Sequence, residues 1–87
     1  MHHKLDMTII DVRTTAEFSG AHIPGSVNIP LGEVPGKLDE IKNMAKPIVL
    51  CCARGNRSGQ AMMFLRQHGI DSENGGSWLD VNGKINK

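Results

Sequence analysis

The 87-residue sequence lacks long hydrophobic runs, clusters of basic residues and a large net charge. Its longest apolar runs are only a few residues, far short of the ~20 that cross a bilayer as a helix. A formal net charge of +1 without Lys/Arg runs leaves no electrostatic surface for nucleic acid or a membrane, so we expect neither partner. Residues 1–6 also lack the hydrophobic core of a signal peptide. This predicts a cytoplasmic protein, or a periplasmic one if an export signal has been removed from the chain.

Cysteine is also scarce, since the only two are the neighbours Cys51 and Cys52. The Cα atoms of adjacent residues are about 3.8 Å apart, which is shorter than the usual separation across a disulfide. We therefore expect no structural disulfide, and two reduced thiols favour a reactive sulfur in a reducing compartment. The histidines show no ligand spacing with the cysteines, so we expect no metal and no cofactor; they are His2, His3, His22 and His68.

The length allows one domain, residues 1–87, with a modest core between packed layers. No internal repeat or low-complexity tract interrupts it. We expect a monomer.

The stretch from Ile48 to Gly69 predicts a strand, a tight loop and a helix in direct succession. Residues 48–52 form an apolar run typical of a buried strand, and residues 53–56 break it. Ser58 can cap the helix that follows, and Gly69 is placed where a helix ends. Three apolar residues fall at helical spacing between them: Ala61, Phe64 and Leu65.

Cys52 would then lie at the carboxyl end of a strand and just before a helix. Unpaired N–H groups and the helix dipole stabilise negative charge at that position, and Arg54 and Arg57 add two cations. A thiol in such surroundings has a lowered pKa and becomes a nucleophile. The same N–H groups form a nest suited to an anion, so the loop predicts a nucleophilic sulfur in an anion cradle.

Three blocks of the chain resemble the rhodanese family in order. Cys52-Ala-Arg-Gly55-Asn-Arg57-Ser58 is similar to the family's active-site loop, Cys-x-x-Gly-x-Arg-Ser. The upstream block comprises Asp11-Val-Arg13, Glu17-Phe18 and His22 to Pro30, and the downstream block comprises Gly75-Gly76 and Trp78. Together they cover nearly the whole chain, although Gly-Gly and Trp are closer together than in the family and both termini are shorter.

The resemblance implies a sulfurtransferase that moves sulfane sulfur from thiosulfate or a persulfide donor to a thiol or cyanide acceptor. Cys52 would carry the sulfur as a persulfide. The loop amides from Ala53 to Ser58, with Gly55 and Asn56 between them, would hold that sulfur. Arg57 and Arg54 would bind the oxygens of a small anionic donor. A protein can also serve as the sulfur acceptor in this scheme.

Two alternatives remain at this point. Counted from Cys51, the chain reads Cys, five residues, Arg57, Ser58, which also satisfies the phosphate loop of cysteine phosphatases and arsenate reductases. Leu50 stands where those enzymes usually have His, and no carboxylate that could protonate an alcohol leaving group follows the loop before Asp71. The third interpretation is a rhodanese module that only relays sulfur or binds a partner.

Four side chains upstream of the loop are expected to support the structure instead of reacting. Asp11, at the end of a predicted strand 8–12, can face the crevice, and with Arg13 and Glu17 it is best interpreted as an ion-pair and hydrogen-bond cluster. Thr14 to Glu17 matches a capping box that begins a short helix. His22 lies in a Pro/Gly loop and is expected to supply a structural hydrogen bond.

Strands that alternate with helices predict an α/β fold, a small doubly wound parallel sheet of four strands with helices on both faces. The rhodanese family usually has a fifth strand. The resemblance implies the order second, first, third, fourth. The other segments are a short strand at 27–29, a loop at 31–36, an amphipathic helix at 37–44, a short edge strand at 70–74, and residues 75–78 crossing the mouth of the cleft.

Overall fold

Four parallel strands form the centre of the computed structural model, which describes residues 7–86. The strands are β1 (Thr8–Asp11), β2 (Val27–Asn28), β3 (Ile48–Cys52) and β4 (Glu73–Ser77), in the order β2-β1-β3-β4. This confirms the predicted α/β fold and strand order. The predictions for segment 1–6, including His2 and His3, lie outside the described residues.

Helices cover both faces of this sheet. They are α1 (Thr15–Gly20), a 3₁₀ helix (Leu31–Lys37), α2 (Leu38–Lys42), α3 (Asn56–Gln67) and α4 (Trp78–Ile85). Successive strand residues point to opposite faces, so the core has two layers. One contains Ile10, Leu50 and Cys52 with residues of the 3₁₀ helix, α2 and α3, and the other contains Ile9 and Cys51 with residues of α4. No helix within residues 7–86 is long and apolar enough to cross a membrane.

The capping box predicted at the start of α1 is present. The Thr14 hydroxyl accepts the Glu17 N–H, and the Glu17 carboxylate accepts the Thr14 N–H. The predicted loop 31–36 is instead a 3₁₀ helix, and the helix after it is shorter than residues 37–44. Elements this short carry little periodic signal, which explains both differences.

The last strand lies three residues further along the chain than predicted. Gly75 and Gly76 belong to β4 and do not cross the mouth of the cleft, and Trp78 begins α4. A Cβ on Gly75 would come within 2.6 Å of Val81 Cγ2 and 2.8 Å of Val49 Cγ1. The strand can approach its neighbours this closely because it has no side chain there.

Candidate functional site

The site is built on the loop that joins β3 to α3. Helix α3 begins at Asn56 with Gly55 as its N-cap, so the prediction that Ser58 caps it is wrong. Gly55 adopts φ 104°, and a Cβ there would lie 3.3 Å from Gly76 Cα. Only glycine meets both conditions at low cost. This turn closes the loop over the end of β3.

Cys52 is the last residue of β3, and its sulfur points into the loop. Cys52 Sγ accepts the N–H of Gly55 at 2.9 Å and the N–H of Ser58 at 3.4 Å, and lies 3.4 Å from Ser58 Oγ. Both Cys52 and Ser58 are buried. As first-turn residues, Asn56 and Arg57 have amides with no acceptor inside the helix. Main-chain N–H groups therefore surround the sulfur and the space beside it.

Two opposing effects set the pKa of Cys52. Burial raises it, but hydrogen bonding with the Ser58 side chain and hydrogen bonds from loop N–H groups outweigh burial and lower the pKa below its ordinary value. The N–H groups that contribute belong to Ser58, Arg54 and Gly55. The loop therefore favours the thiolate, the nucleophilic form of cysteine.

Cys51 points to the opposite face of the sheet, as strand alternation predicts. It is completely buried in the core layer that contains Ile9, Ile23 and Val81. Burial and the charge of Asp11 raise the pKa of Cys51 to about 12. This thiol is neutral and unreactive at neutral pH.

The two arginines of the loop have different surroundings. Arg57 Nη1 and Nη2 donate to the two carboxylate oxygens of Glu17 at 2.8 and 3.1 Å. This bidentate pair lowers the pKa of Glu17 to about 2. Arg54 is exposed, as are Ala53 and Asn56, and takes part in none of the salt bridges within the part of the chain that the structure describes.

Asp11 and Arg13 form a separate buried pair. Arg13 Nε donates to both Asp11 oxygens at 3.0 Å, and Arg13 Nη2 donates to Asp11 Oδ2 at 2.8 Å and to the Ala21 carbonyl at 2.7 Å. Arg13 Nη1 also donates to the main-chain carbonyl of Glu17 at 3.4 Å, so the three residues are connected, while the Glu17 carboxylate pairs with Arg57 of the loop. His22 stacks on Phe18 with centroids 3.7 Å apart, and its Nδ1 lies 2.7 Å from the Phe18 carbonyl.

Asn74, which the sequence did not single out, braces the same loop from β4. Its Oδ1 accepts the Ser58 hydroxyl at 2.6 Å, and its Nδ2 donates to the Gly55 carbonyl at 3.0 Å. The available signal was a polar residue just before Gly75 and Gly76 on a strand whose carboxyl end adjoins the loop. Within residues 7–86 no three His, Cys, Asp or Glu side chains are grouped so as to hold a metal ion.

Known proteins with similar sequences contain related domains. The chain is 41% identical over 64 residues to "Putative sulfur carrier protein YrkF" of Bacillus subtilis (strain 168), a match that covers 74% of this chain and 34% of that protein. It is 32% identical over 82 residues to "Thiosulfate:glutathione sulfurtransferase" of Saccharomyces cerevisiae, covering 80% of this chain and 59% of the yeast protein. The chain thus spans about a third of the length of the first relative and about three fifths of the length of the second.

The fold is also similar to solved structures. A structure described as "rhodanese with anions from E. coli" superposes with a TM-score of 0.76 at 32% identity, covering 85% of this chain and 89% of that one. Residues 1–80 match the family model described as "Rhodanese-like domain". Because that match takes in both the upstream block and the active-site loop, the chain belongs to the family of rhodanese-like domains.

Proposed function

We propose that this protein transfers sulfane sulfur through a persulfide on Cys52. The observation that supports this most strongly is the position of Cys52 Sγ, which accepts N–H groups from Gly55 and Ser58 at the start of a helix. An ionised sulfur so placed can attack the outer sulfur of thiosulfate. The new S–S bond forms as the bond to the sulfonate group breaks, and its electron pair leaves with sulfite. The terminal sulfur of the persulfide carries the remaining negative charge.

The second half-reaction passes the terminal sulfur to an acceptor and returns Cys52 to its thiolate form. An acceptor thiolate attacks the terminal sulfur, the S–S bond to Cys52 breaks, and the electron pair returns to Cys52 Sγ. The unpaired N–H groups of Asn56 and Arg57 are suited to hold the charged terminal sulfur. We propose that the acceptor is a small thiol or a protein thiol, because the relatives include a protein named as a sulfurtransferase and one named as a putative sulfur carrier.

Phosphoryl transfer has less support. The phosphatase spacing requires Cys51 as the nucleophile, but that side chain is completely buried and the pKa of its thiol is raised to about 12. An alcohol leaving group also needs a proton donor. Glu17 is the carboxylate bonded to the loop, and since Arg57 lowers the pKa of Glu17 to about 2 it holds no proton at neutral pH. Sulfite leaves as an anion and needs none.

The two cysteines supply the test of this proposal. We expect Cys52→Ser to abolish thiocyanate formation from thiosulfate and cyanide, because no sulfur remains in the loop. The matched variant Cys51→Ala, which keeps an apolar residue in the core, should retain most of the rate. The proposal would be contradicted if a folded Cys51→Ala protein had no activity. It would also be contradicted if the wild-type protein hydrolysed aryl phosphates and formed no thiocyanate.

A further inference from the structure

The Asn74 side chain joins three groups around the sulfur-bearing loop. Its Oδ1 accepts both the Ser58 hydroxyl at 2.6 Å and the Gly76 N–H at 3.0 Å, and its Nδ2 donates to the Gly55 carbonyl at 3.0 Å. An amide can face these partners in only one orientation, because the oxygen accepts and the nitrogen donates. The position of each Asn74 atom is therefore determined by its neighbours.

The Asn74 side chain occupies space next to two glycines that have no Cβ, Gly59 and Gly55. A Cβ on Gly59 would lie 3.2 Å from Asn74 Nδ2, and one on Gly55 would lie 4.0 Å from it. Asn74 is exposed to solvent, whereas Ser58 is buried beneath it. The amide is thus the outer end of a hydrogen-bond chain that leads through Ser58 to Cys52.

The Ser58 hydroxyl has one hydrogen and two acceptors beside it. When Cys52 is a thiol, its S–H can donate to Ser58 Oγ while the hydroxyl donates to Asn74 Oδ1, and every group is satisfied. When Cys52 is ionised, its sulfur has lost that hydrogen and becomes an acceptor 3.4 Å from Ser58 Oγ. The hydroxyl can turn to the sulfur only by leaving Asn74. The amide oxygen and the thiolate therefore compete for the same hydrogen.

We propose that Asn74 is a positioning residue for Cys52: the Asn74 side-chain oxygen competes with the sulfur-free Cys52 thiolate for the hydrogen of the Ser58 hydroxyl. The effect on the sulfur-loaded protein rests on the proposed function. In a persulfide the charge lies on the terminal sulfur, so Cys52 Sγ no longer needs the Ser58 hydrogen. The competition then withdraws a hydrogen bond only from the Cys52 thiolate that carries no second sulfur. Asn74 therefore favours the sulfur-loaded protein over the unloaded one.

Several ionisable groups share the surroundings of Cys52. Arg57 lies in the first turn of α3 and is paired with Glu17 of α1, and Cys51 adjoins Cys52 in β3. Asp11 ends β1, and Arg13 follows that strand. The loop also carries the exposed Arg54. The amide in β4 is uncharged, so replacing it with an apolar group of the same shape leaves these charges unchanged. A change in thiol reactivity would then come from the hydrogen bonds.

The test is the rate of Cys52 alkylation by iodoacetamide as a function of pH, with Cys52→Ser as the blank. Asn74→Leu removes the competing acceptor and keeps water from Ser58. We expect it to raise the rate at low pH roughly threefold to tenfold, because the hydroxyl then donates to the thiolate. Ser58→Ala should lower the rate, and adding Asn74→Leu to Ser58→Ala should change nothing further.

Asn74→Asp separates this role from simple bracing of the loop. Both Asn74 variants lose the bond to the Gly55 carbonyl, but only the aspartate keeps an oxygen opposite Ser58 and adds a charge that opposes the thiolate. We therefore expect alkylation to be faster in Asn74→Leu and slower in Asn74→Asp. Slower alkylation in both, or an effect of Asn74→Leu that persists without the Ser58 hydroxyl, would overturn the proposal.

Thermal unfolding by circular dichroism shows which variants are folded. Asn74→Ala replaces Asn74→Leu, with the same expected direction, if the larger side chain prevents folding. The alkylation assay uses no sulfur donor, so it measures the role of Asn74 independently of sulfur transfer. If thiosulfate left no sulfur on the protein, the proposed function would be refuted and the role of Asn74 would still stand.

Discussion

Two adjacent residues of the same type have opposite properties because a strand alternates its side chains. Cys52 lies among loop N–H groups that lower its pKa, and Cys51 lies in a core layer where burial raises its pKa to about 12. Alternation along residues 48–52 accounts for this division. Backbone geometry, more than any charged partner, thus separates the pKa values of the two thiols.

Arg57 should contribute more than Arg54 to binding an anionic donor, because Arg57 interacts electrostatically with Cys52 at the start of α3. We expect Arg57→Gln to raise the KM for thiosulfate severalfold, on the order of 1 kcal/mol, and Arg54→Gln to raise it less. Glu17→Gln should lower this KM, since it removes a negative charge from Arg57. Equal KM values for the two arginine variants, or a rise in Glu17→Gln, would show that Arg57 serves only to hold the loop.

The pair of Glu17 and Arg57 also predicts how stability depends on pH. Hydrogen bonds from Arg57 and, to a smaller extent, from Thr14 lower the pKa of Glu17 from its ordinary value of 4.5 to about 2. The stabilisation is therefore complete above the unfolded pKa and is lost as pH falls towards the folded one. In thermal unfolding from about pH 6 to about pH 2.5, the Tm difference between wild type and Glu17→Gln should shrink.

The exposed Glu33 forms no salt bridge with any residue in the described range, which makes Glu33→Gln a matched control. Its Tm should follow that of the wild type at every pH. A constant gap between wild type and Glu17→Gln would refute the assignment.

The sequence could not show which distant side chains meet at the loop. Glu17 matched a capping box and does cap α1, but its second partner, Arg57, is forty residues away in the sequence. Asn74 lay in a stretch too polar to suggest a role. Local patterns therefore identified the sulfur and its amides, whereas the supporting contacts depend on how the strands are arranged.

Among the elements, β4 differs most from expectation, because packing and not propensity forms it. Its sequence, Glu73-Asn-Gly-Gly-Ser77, contains residues that are uncommon in strands. The absence of a Cβ at Gly75 lets the strand lie against Val49 and Val81 and brings Asn74 to the loop. A strand specified in this way has no alternating pattern to predict it.

Two glycine substitutions test this explanation. Gly75→Ala should lower the free energy of unfolding by about 1–3 kcal/mol, because its Cβ would overlap Val49 and Val81. Gly83 lies inside α4, and a Cβ at that position would have nothing within 4 Å, so Gly83→Ala should raise stability by about 0.5–1 kcal/mol. Urea denaturation gives both values. A Gly75→Ala protein as stable as the wild type would contradict the packing argument.

For the whole molecule, the sheet order β2-β1-β3-β4 brings distant residues to one edge. The carboxyl ends of parallel strands lie at the same edge, where ligands of such folds bind. Cys52 ends β3 there and pairs in register with Ser77 of β4. Alternating strands and helices predicted the parallel α/β sheet, and the resemblance to the rhodanese family implied the strand order. The fold could therefore be predicted further than the details of the site.

The central claim is that Cys52 stores a second sulfur. The most direct measurement is the intact mass of the protein after incubation with thiosulfate and removal of excess reagent. We predict that the wild type and Cys51→Ala gain the mass of one sulfur atom, that a thiol reductant removes it, and that Cys52→Ser gains nothing. An unchanged wild-type mass, or a sulfur that is lost with Cys51 and retained without Cys52, would contradict the account.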